Sequence, residues 1–518
     1  AAACAVACAT AGAPAAATTG SRAASPSHSR FRVADGALGV NVAPWDGIYQ
    51  PGARAAAGMQ RMLKAAGVGM LHYGGGSWAD LYDWRTDTDI KNCLPRHATA
   101  SFTGRCSSRD PLDFARFSRQ ARAIGAASFA TVNYGSGTPA LAARWVADAR
   151  TRPGEAVRLW EVGNESYGCW EVDNELERAP EHYSGYTPGT YTTVHGVHEN
   201  ATCPQATRGS AKGARILATS YAVNALRFLK AMKKADPAAR IGVPWAFGTS
   251  VHGAAVIDAG EWNRSVLRTD GRYAGFVDAR WYPFSFSGGT GGRNPTARRV
   301  LRTLFQIPGL YRDIRRSLDA YDPAADVVVG ETGITNREST AVCRPVGAVF
   351  AAGDVLSWLA AGARTVDWWD LNNYGNKTAA CEKGDNGLFT SSTPAVPETP
   401  YWGYLLAAKL ARPGARLAAI GVSASHAGPP PSRSVLAYES ALPGGRRAVA
   451  LVNTSTSSAR KVTVRPFAPL SGKLRTWTYS ARNQDATASR IVAGRARVAS
   501  GAPRVTLPPE SVRILETR

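Results

Sequence analysis

The chain lacks the short signatures of most metal, phosphate and serine chemistry. None of its eight cysteines stand in CxxC spacing and there is no HExxH, so no zinc centre is expected. His72, His195, His198 and His252 stand outside any Cys/His cluster, and no metal or cofactor is called for. There is no GxSxG, which excludes the usual serine-hydrolase elbow. Gly74-Gly75-Gly76 is rich in glycine but has neither the GxGxxG pattern nor the lysine of a phosphate loop. No apolar run approaches the ~18 residues of a membrane helix. Acids are scarce, 39 against 61 Lys and Arg, giving a net charge of +22. The basic residues are scattered and no DNA- or RNA-binding motif is present, so nucleic acid is not the expected partner. A solvated basic surface attracted to acidic polysaccharide or a cell surface is.

What is present is ordinary globular material, 44% hydrophobic and 19% charged over 518 residues, long enough for two or three units. Residues 1–30 are rich in Ala, Thr, Ser and Pro and read as the remnant of an export signal followed by a disordered tether holding Cys4 and Cys8. The other six cysteines fall in neighbouring pairs, Cys93 with Cys106, Cys169 with Cys203 and Cys343 with Cys381, each bracketing a loop-rich stretch. Local disulfides and a secreted, extracellular location are expected.

From residue 31 to 412, strand-like and helix-like periods alternate. Strands are expected at 37–42, 68–73, 127–132, 157–162, 240–244, 275–282, 326–330 and 364–369. Helices are expected at 53–66, 110–124 (Asp110 as cap), 140–149 (Thr138 as cap), 211–235, 254–268, 295–318 with a break near Pro308, 347–361 and 401–410. Eight such units predict an α/β fold, a closed (β/α)8 TIM barrel. A doubly wound sheet is the alternative, and it would want a phosphate loop. From 413 to 518 short alternating strands separated by turns predict an antiparallel β-sandwich.

Two acids stand where a predicted strand opens into a loop. Glu165 closes Trp160-Glu161-Val162-Gly163-Asn164-Glu165, and Glu331 closes Val327-Val328-Val329-Gly330-Glu331. In parallel barrels that edge carries the chemistry. Two carboxyl groups facing each other across a pocket have the equipment to cleave a glycosidic bond. Fourteen Trp and eighteen Tyr supply rings for the core or for sugar faces.

Several of these strand ends resemble one family. Gly75-Gly76-Ser77 with Tyr82-Asp83-Trp84, Val132 to Pro139 (VNYGSGTP) and Trp160 to Glu165 together resemble the retaining glycoside hydrolases of clan A, above all the family 51 α-L-arabinofuranosidases and related arabinofuranosidase- and xylosidase-like enzymes. Two positions depart from the arabinofuranosidase pattern, Glu331-Thr332 for Glu-Trp and Gly-Gly-Ser for Gly-Gly-Asn. The resemblance implies a barrel with a C-terminal β-sandwich, an oligo- or polysaccharide substrate, Glu165 as acid/base and Glu331 as nucleophile. A β-xylosidase, an endo-glycanase and a non-catalytic carbohydrate-binding barrel stay open, as do the sugar and the oligomeric state.

On that reading Glu165 carries a proton near neutral pH while Glu331 is ionised. Asn164 either binds the sugar 2-hydroxyl or shapes the turn. Tyr282 donates to Glu331 or packs in the core. Asn133 and Asn41 line a subsite or cap loops. Trp369 floors the pocket while Trp368, one residue earlier, points into the helix layer. Trp78 and Trp84 wall the site or pack inside. Glu161 shares the parity of Glu165 but lies deeper, and is expected to be the buried partner of an arginine.

Overall fold

The computed structural model describes residues 30–44, 53–89, 112–168, 211–247, 259–284, 295–335, 340–342, 344–372, 386–390, 392, 394–424, 434–481, 491–498 and 501–518. All eight cysteines, their expected pairings, and the expected tether up to residue 29 lie outside the described residues.

Eight parallel strands close into a barrel: β1 (Leu38–Val42), β2 (Met70–Tyr73), β3 (Ala127–Val132), β4 (Val157–Val162), β5 (Arg240–Trp245), β6 (Phe276–Trp281), β7 (Asp326–Thr332) and β8 (Val366–Trp368), which pairs back onto β1. The intervening helices are α1 (Ala53–Ala65), α2 (Phe114–Ile124), α3 (Pro139–Thr151), α4 (Ala211–Ala235), α5 (Ala259–Asp270), α6 (Ala297–Thr303), α7 (Ile307–Tyr321), α8 (Pro345–Ala361) and α9 (Thr399–Ala407). The expected break near Pro308 is a 3-10 turn at Leu304–Gln306, with the proline in the first turn of α7. Thr138 caps α3 as expected, accepting from Leu141 N at 3.0 Å. The cap of α2 is Asp113 rather than Asp110. Its carboxylate accepts from Arg116 N at 2.6 Å, so the helix starts at Phe114.

Strand parity sorts the barrel interior into layers. Met70, Phe129, Leu159, Phe276 and Val328 form an apolar plug from five strands. Two residues further along the same strands come His72, Thr131, Glu161 and Asp278, all buried. The opposite parity, with Leu71, Ala130, Trp160, Val277, Val327 and Val329, joins the core beneath the helices.

After the barrel the chain forms two antiparallel sheets. The larger runs in the order residues 31–32, β9 (Arg416–Ala419), β11 (Val435–Ala441), β12 (Arg447–Asn453), β17 (Ser511–Thr517), β14 (Gly472–Ser480), β15 (Val492–Val498); the smaller is β10 (Gly421–Ala424), β13 (Arg460–Arg465), β16 (Arg504–Leu507). Val449, Leu451, Leu474 and Leu515 of the first pack on Val462, Val464 and Leu507 of the second, which makes a sandwich. The other face of the large sheet, with Ala450, Tyr479, Val512 and Ile514, belongs to the same core as the barrel helices. α8 lies between the two units, and it is buried from Val346 to Ala360. That explains why it is apolar all round. Ser357 of α8 and Tyr438 of β11 share a hydrogen bond of 2.5 Å across the junction.

One buried acid makes the fold sensitive to alkali. Asp270 ends α5 fully buried, and neither carboxylate oxygen has a hydrogen-bond partner among the described residues. Burial pushes its pKa up to about 8. The folded state therefore holds this proton more tightly than the unfolded chain does. The contribution is full below the ordinary carboxylate range and is lost as pH rises through about 8. We expect the unfolding midpoint to fall between pH 6 and 9 and to fall less in Asp270→Asn. Equal slopes in the two proteins, followed by thermal melting, would mean that the group is already ionised at neutral pH.

Candidate active site

Arg280 of β6 is the centre of the barrel mouth. Its side chain has no exposure, and three carboxylates surround it. Nη1 donates to Glu331 Oε1, Nη2 to Glu161 Oε2, and Nη2 also lies 3.1 Å from Asp278 Oδ2. Burial works against the guanidinium charge, but Glu161, Glu331 and Asp278 outweigh it and raise its pKa further. Glu161 is thus the buried partner of an arginine, as its depth on β4 implied.

One cation cannot neutralise three carboxylates, so the cluster takes up a proton. Burial pushes Glu161 well above the ordinary carboxylate range, against the pull of Arg280, and a hydrogen bond to Asp278 adds to the rise. Asp278 is pushed up by burial to about 6, held down by Arg280 and by the Gly330 N–H, which donates to it at 2.5 Å. Of these two acids, Glu161 is the one displaced further towards its neutral form. His72 lies 2.8 Å from Thr131 Oγ1 and 3.3 Å from Gly330 O. Burial, with Arg280 nearby, holds it well below the usual histidine value, so it is neutral and adds no second cation.

Glu331 reaches this cluster because β7 is irregular. Regular alternation after Val328 would send residue 331 to the helix side with Val327 and Val329. The pairing of β7 shifts register between Val328 and Glu331 on the β6 side and between Val329 and Thr332 on the β8 side. The shift turns Glu331 inward, and Thr332 points out to Asp354 of α8 at 3.0 Å. Glu331 then accepts from Tyr282 Oη at 2.8 Å and from Gly76 N at 3.3 Å. Gly76 sits at φ 71° with the Trp369 ring 3.1 Å from where a Cβ would stand, so only glycine offers its N–H there. Burial raises the Glu331 pKa and the Glu165 charge adds to it, while Arg280, Tyr282 and the Gly76 N–H oppose the rise.

The influence of Glu165 on Glu331 puts the two predicted acids at one site. Glu165 accepts from Tyr167 Oη at 2.8 Å. Its backbone is left-handed, φ 43°, which is costly for a residue with a side chain and is characteristic of functional positions. Gly163 at φ 76° makes the turn off β4. Asn164 is buried, and its N–H donates to Asp80 Oδ2 at 3.3 Å. Asp80 also accepts from Tyr134 N at 3.2 Å, so one buried acid ties the ends of β3 and β4 together.

The remaining expected site residues divide. Tyr282 is in place on Glu331, and Trp369 lies against Gly75 and Gly76. Trp368 turns to the helix layer, its indole N–H donating to Asn386 O at 2.7 Å. Asn133 is a brace for its own loop. Its amide donates to Tyr82 O and Ser136 Oγ and accepts from Ser136 N and Gly137 N, so all four of its hydrogen-bonding positions serve the loop. Asn41 is fully buried and braces the backbone at Gly330 O, 2.7 Å away. Trp78 stacks on Tyr82 and Trp84 on Trp145, both as packing. Sequence reasoning missed Arg280, Asp278, Asp80 and Tyr167. The signal for the first two was present: Asp278 and Arg280 share the parity of Tyr282 in an otherwise apolar strand.

Removing the cation from this cluster strands its buried acids. We expect Arg280→Met to lose about 3–5 kcal/mol of stability. The double variant Arg280→Met/Asp278→Asn should recover part of that loss, because Asp278, pushed only to about 6, is one of the acids left charged. Urea unfolding reads both, and an Arg280→Met protein as stable as the parent would refute the electrostatic account.

No family model matches the chain. A stretch of 159 residues is 24% identical to a probable α-L-arabinofuranosidase C of Aspergillus flavus, covering 27% of this chain and 31% of that curated relative. The whole structure resembles an α-L-arabinofuranosidase of Thermotoga maritima solved as an arabinose complex, with TM-score 0.67, 16% identity, 95% of this chain and 98% of that one. It also resembles the GH51 arabinofuranosidase of Xanthomonas axonopodis pv. citri, with TM-score 0.65, 16% identity and the same coverage of each chain. Barrel and sandwich together, the chain has the fold of the family 51 α-L-arabinofuranosidases.

Proposed function

We propose that this chain is a retaining glycoside hydrolase of the arabinofuranosidase type, acting on oligo- or polysaccharide outside the cell. The observation that carries the reading is the pairing of Glu331 with Glu165 at the barrel mouth, with Arg280, Tyr282 and the Gly76 N–H all favouring the charged form of Glu331. A glycosidic bond breaks through an oxocarbenium-like state that needs a carboxylate on one side and a proton donor on the other. Glu331, with a guanidinium and two further donors, is the carboxylate. It attacks the anomeric carbon and forms a glycosyl-enzyme ester. Glu165 gives its proton to the leaving oxygen and afterwards takes one from the water that cleaves the ester. Trp369, against Gly75 and Gly76, borders the space where the sugar ring sits. The shared barrel-and-sandwich fold and the short arabinofuranosidase match favour an arabinofuranoside as the substrate.

The test is a panel of nitrophenyl glycosides, with the arabinofuranoside expected to be cleaved fastest and the xylopyranoside more slowly. Glu331→Ala should abolish turnover. Glu165→Ala should cost roughly 10²–10⁴-fold on poor leaving groups and less on activated ones. Azide should rescue it as a glycosyl azide of retained configuration. Activity that survives either change would overturn the roles, and no cleavage of any glycoside by the intact protein would favour a binding barrel.

The pH profile gives a separate check. Glu331 must be ionised to attack, and the Tyr282 hydrogen bond favours the ionised form. Tyr282→Phe should therefore move the acid limb of kcat/KM to higher pH. A limb that stays in place would mean that Glu331 does not set it.

A further inference from the structure

The outer strand of the large sheet, among the described residues, carries a basic groove that the catalytic reading does not use. β15 is the last strand of that sheet, paired antiparallel to β14. Their register sets Lys473 opposite Arg497, Arg475 opposite Arg495, and Trp477 opposite Ala493. Directly opposed residues lie on the same face, so these six share one side of the two-stranded edge. The intervening Leu474 points into the sandwich core, so the six lie on the opposite face, which Tyr479 shares with the barrel-helix core and against which Trp477 packs. All four cations are exposed, and Trp477 is half-buried. Lys409, at the end of α9, brings its ammonium 5.0 Å from the Trp477 ring centre. Between them lies a groove of about 390 Å³ lined by Arg475, Trp477, Gly494, Arg495 and Arg518.

This arrangement is unfavourable as it stands. Like charges directly opposite on paired strands repel, and here two such pairs follow one another about 7 Å apart along the strands; the carboxylate across β14 from Arg475, Glu516, is already held by Arg412 and Arg446. Charge on an edge strand commonly serves to prevent pairing with other sheets. That purpose needs cations on β15 alone. It accounts neither for their alignment with those of β14 nor for a groove floored by an indole. A polyanion lying in the groove would relieve the Arg475–Arg495 pair, its carboxylates meeting the guanidinium forks and the apolar side of a sugar ring meeting Trp477.

We propose that this groove is an accessory binding site for a uronate-bearing polysaccharide chain, which would hold the protein on acidic glycan while the barrel works on its own substrate. The choice of a glycan over another polyanion rests on the function proposed for the barrel; the groove and its charge do not.

The experiment is direct binding to polygalacturonate by the full chain carrying Glu331→Gln, which separates binding from any cleavage. It is run at about 0.15 M salt, where distant charges are screened. Arg475→Glu/Arg495→Glu should weaken binding about ten-fold or more. Arg298→Glu/Arg302→Glu, the same charge change at exposed sites on α6, should leave it within about two-fold. Trp477→Ala should weaken binding without changing its salt dependence, and unchanged melting of each variant shows that it is folded. Equal loss in both double variants would reduce the effect to net charge and overturn the site. Binding of DNA or poly(glycerol phosphate) as tightly as polygalacturonate, with equal loss on Arg475→Glu/Arg495→Glu, would reject the glycan in favour of a phosphate polymer. No binding to polygalacturonate by the parent would end the proposal whatever the barrel cleaves.

Discussion

A single buried guanidinium governs the interior of this barrel. Moving a charge of that size out of water costs several kcal/mol even after relaxation, and only close, well-aligned counter-charges offset it. Arg280 has three, from β4, β6 and β7. The reverse also holds, since those acids are tolerable inside the barrel only because the cation is there. The cluster nonetheless carries more negative than positive charge, and burial presses Glu161 well towards its neutral acid, against the pull of Arg280. This leaves Glu331 with its own guanidinium nitrogen, Nη1.

The architecture supplies what that electrostatic arrangement needs. The apolar plug of Met70, Phe129, Leu159, Phe276 and Val328 closes the barrel under the charged layer, so no water from that side screens it. Above it, strand ends converge on the mouth and are tied to one another: Asp80 joins β3 to β4, and Asn41 joins β1 to β7. A retaining mechanism asks for two carboxyl groups held ~5–5.5 Å apart, a tolerance that mobile loops cannot keep. Here Glu331 stands on a paired strand, while Glu165 stands three residues past β4 in the turn that Gly163 opens, with a left-handed backbone as the local cost.

Much of this was legible in the sequence, for identifiable reasons. The eight barrel strands are apolar runs separated by amphipathic helices, so their order and closure followed from periodicity alone. Glu165 stood out because Gly163 and Asn164 break a buried strand just before it, and Glu161 because its parity puts it inside with a charge to neutralise. Glu331 was identified at the right place, yet strict alternation would have faced it outward; the register shift in β7 is a property of three strands and cannot be seen in one. Asn133, Asn41, Trp78 and Trp84 share the defect of residue-type reasoning. An amide or an indole near a mouth suits sugar binding and structural bracing equally, and only the hydrogen-bond partners decide. Arg280 was passed over because it sits in a strand whose apolar members drew the attention.

The two-residue strand Phe31–Arg32 pairs with Leu417 and Arg416 of β9, not with the barrel strand that follows it in the chain. The polypeptide therefore enters the molecule through the sheet that its C-terminal part builds. During synthesis on a ribosome, residue 31 emerges some hundreds of residues before its partner does. The nascent N-terminal segment must stay unpaired while eight strands close beside it, and contacts that span so much of a chain form late. Completion of the sandwich then places Phe31–Arg32 and Ser511–Thr517 in one sheet, with three strands between them.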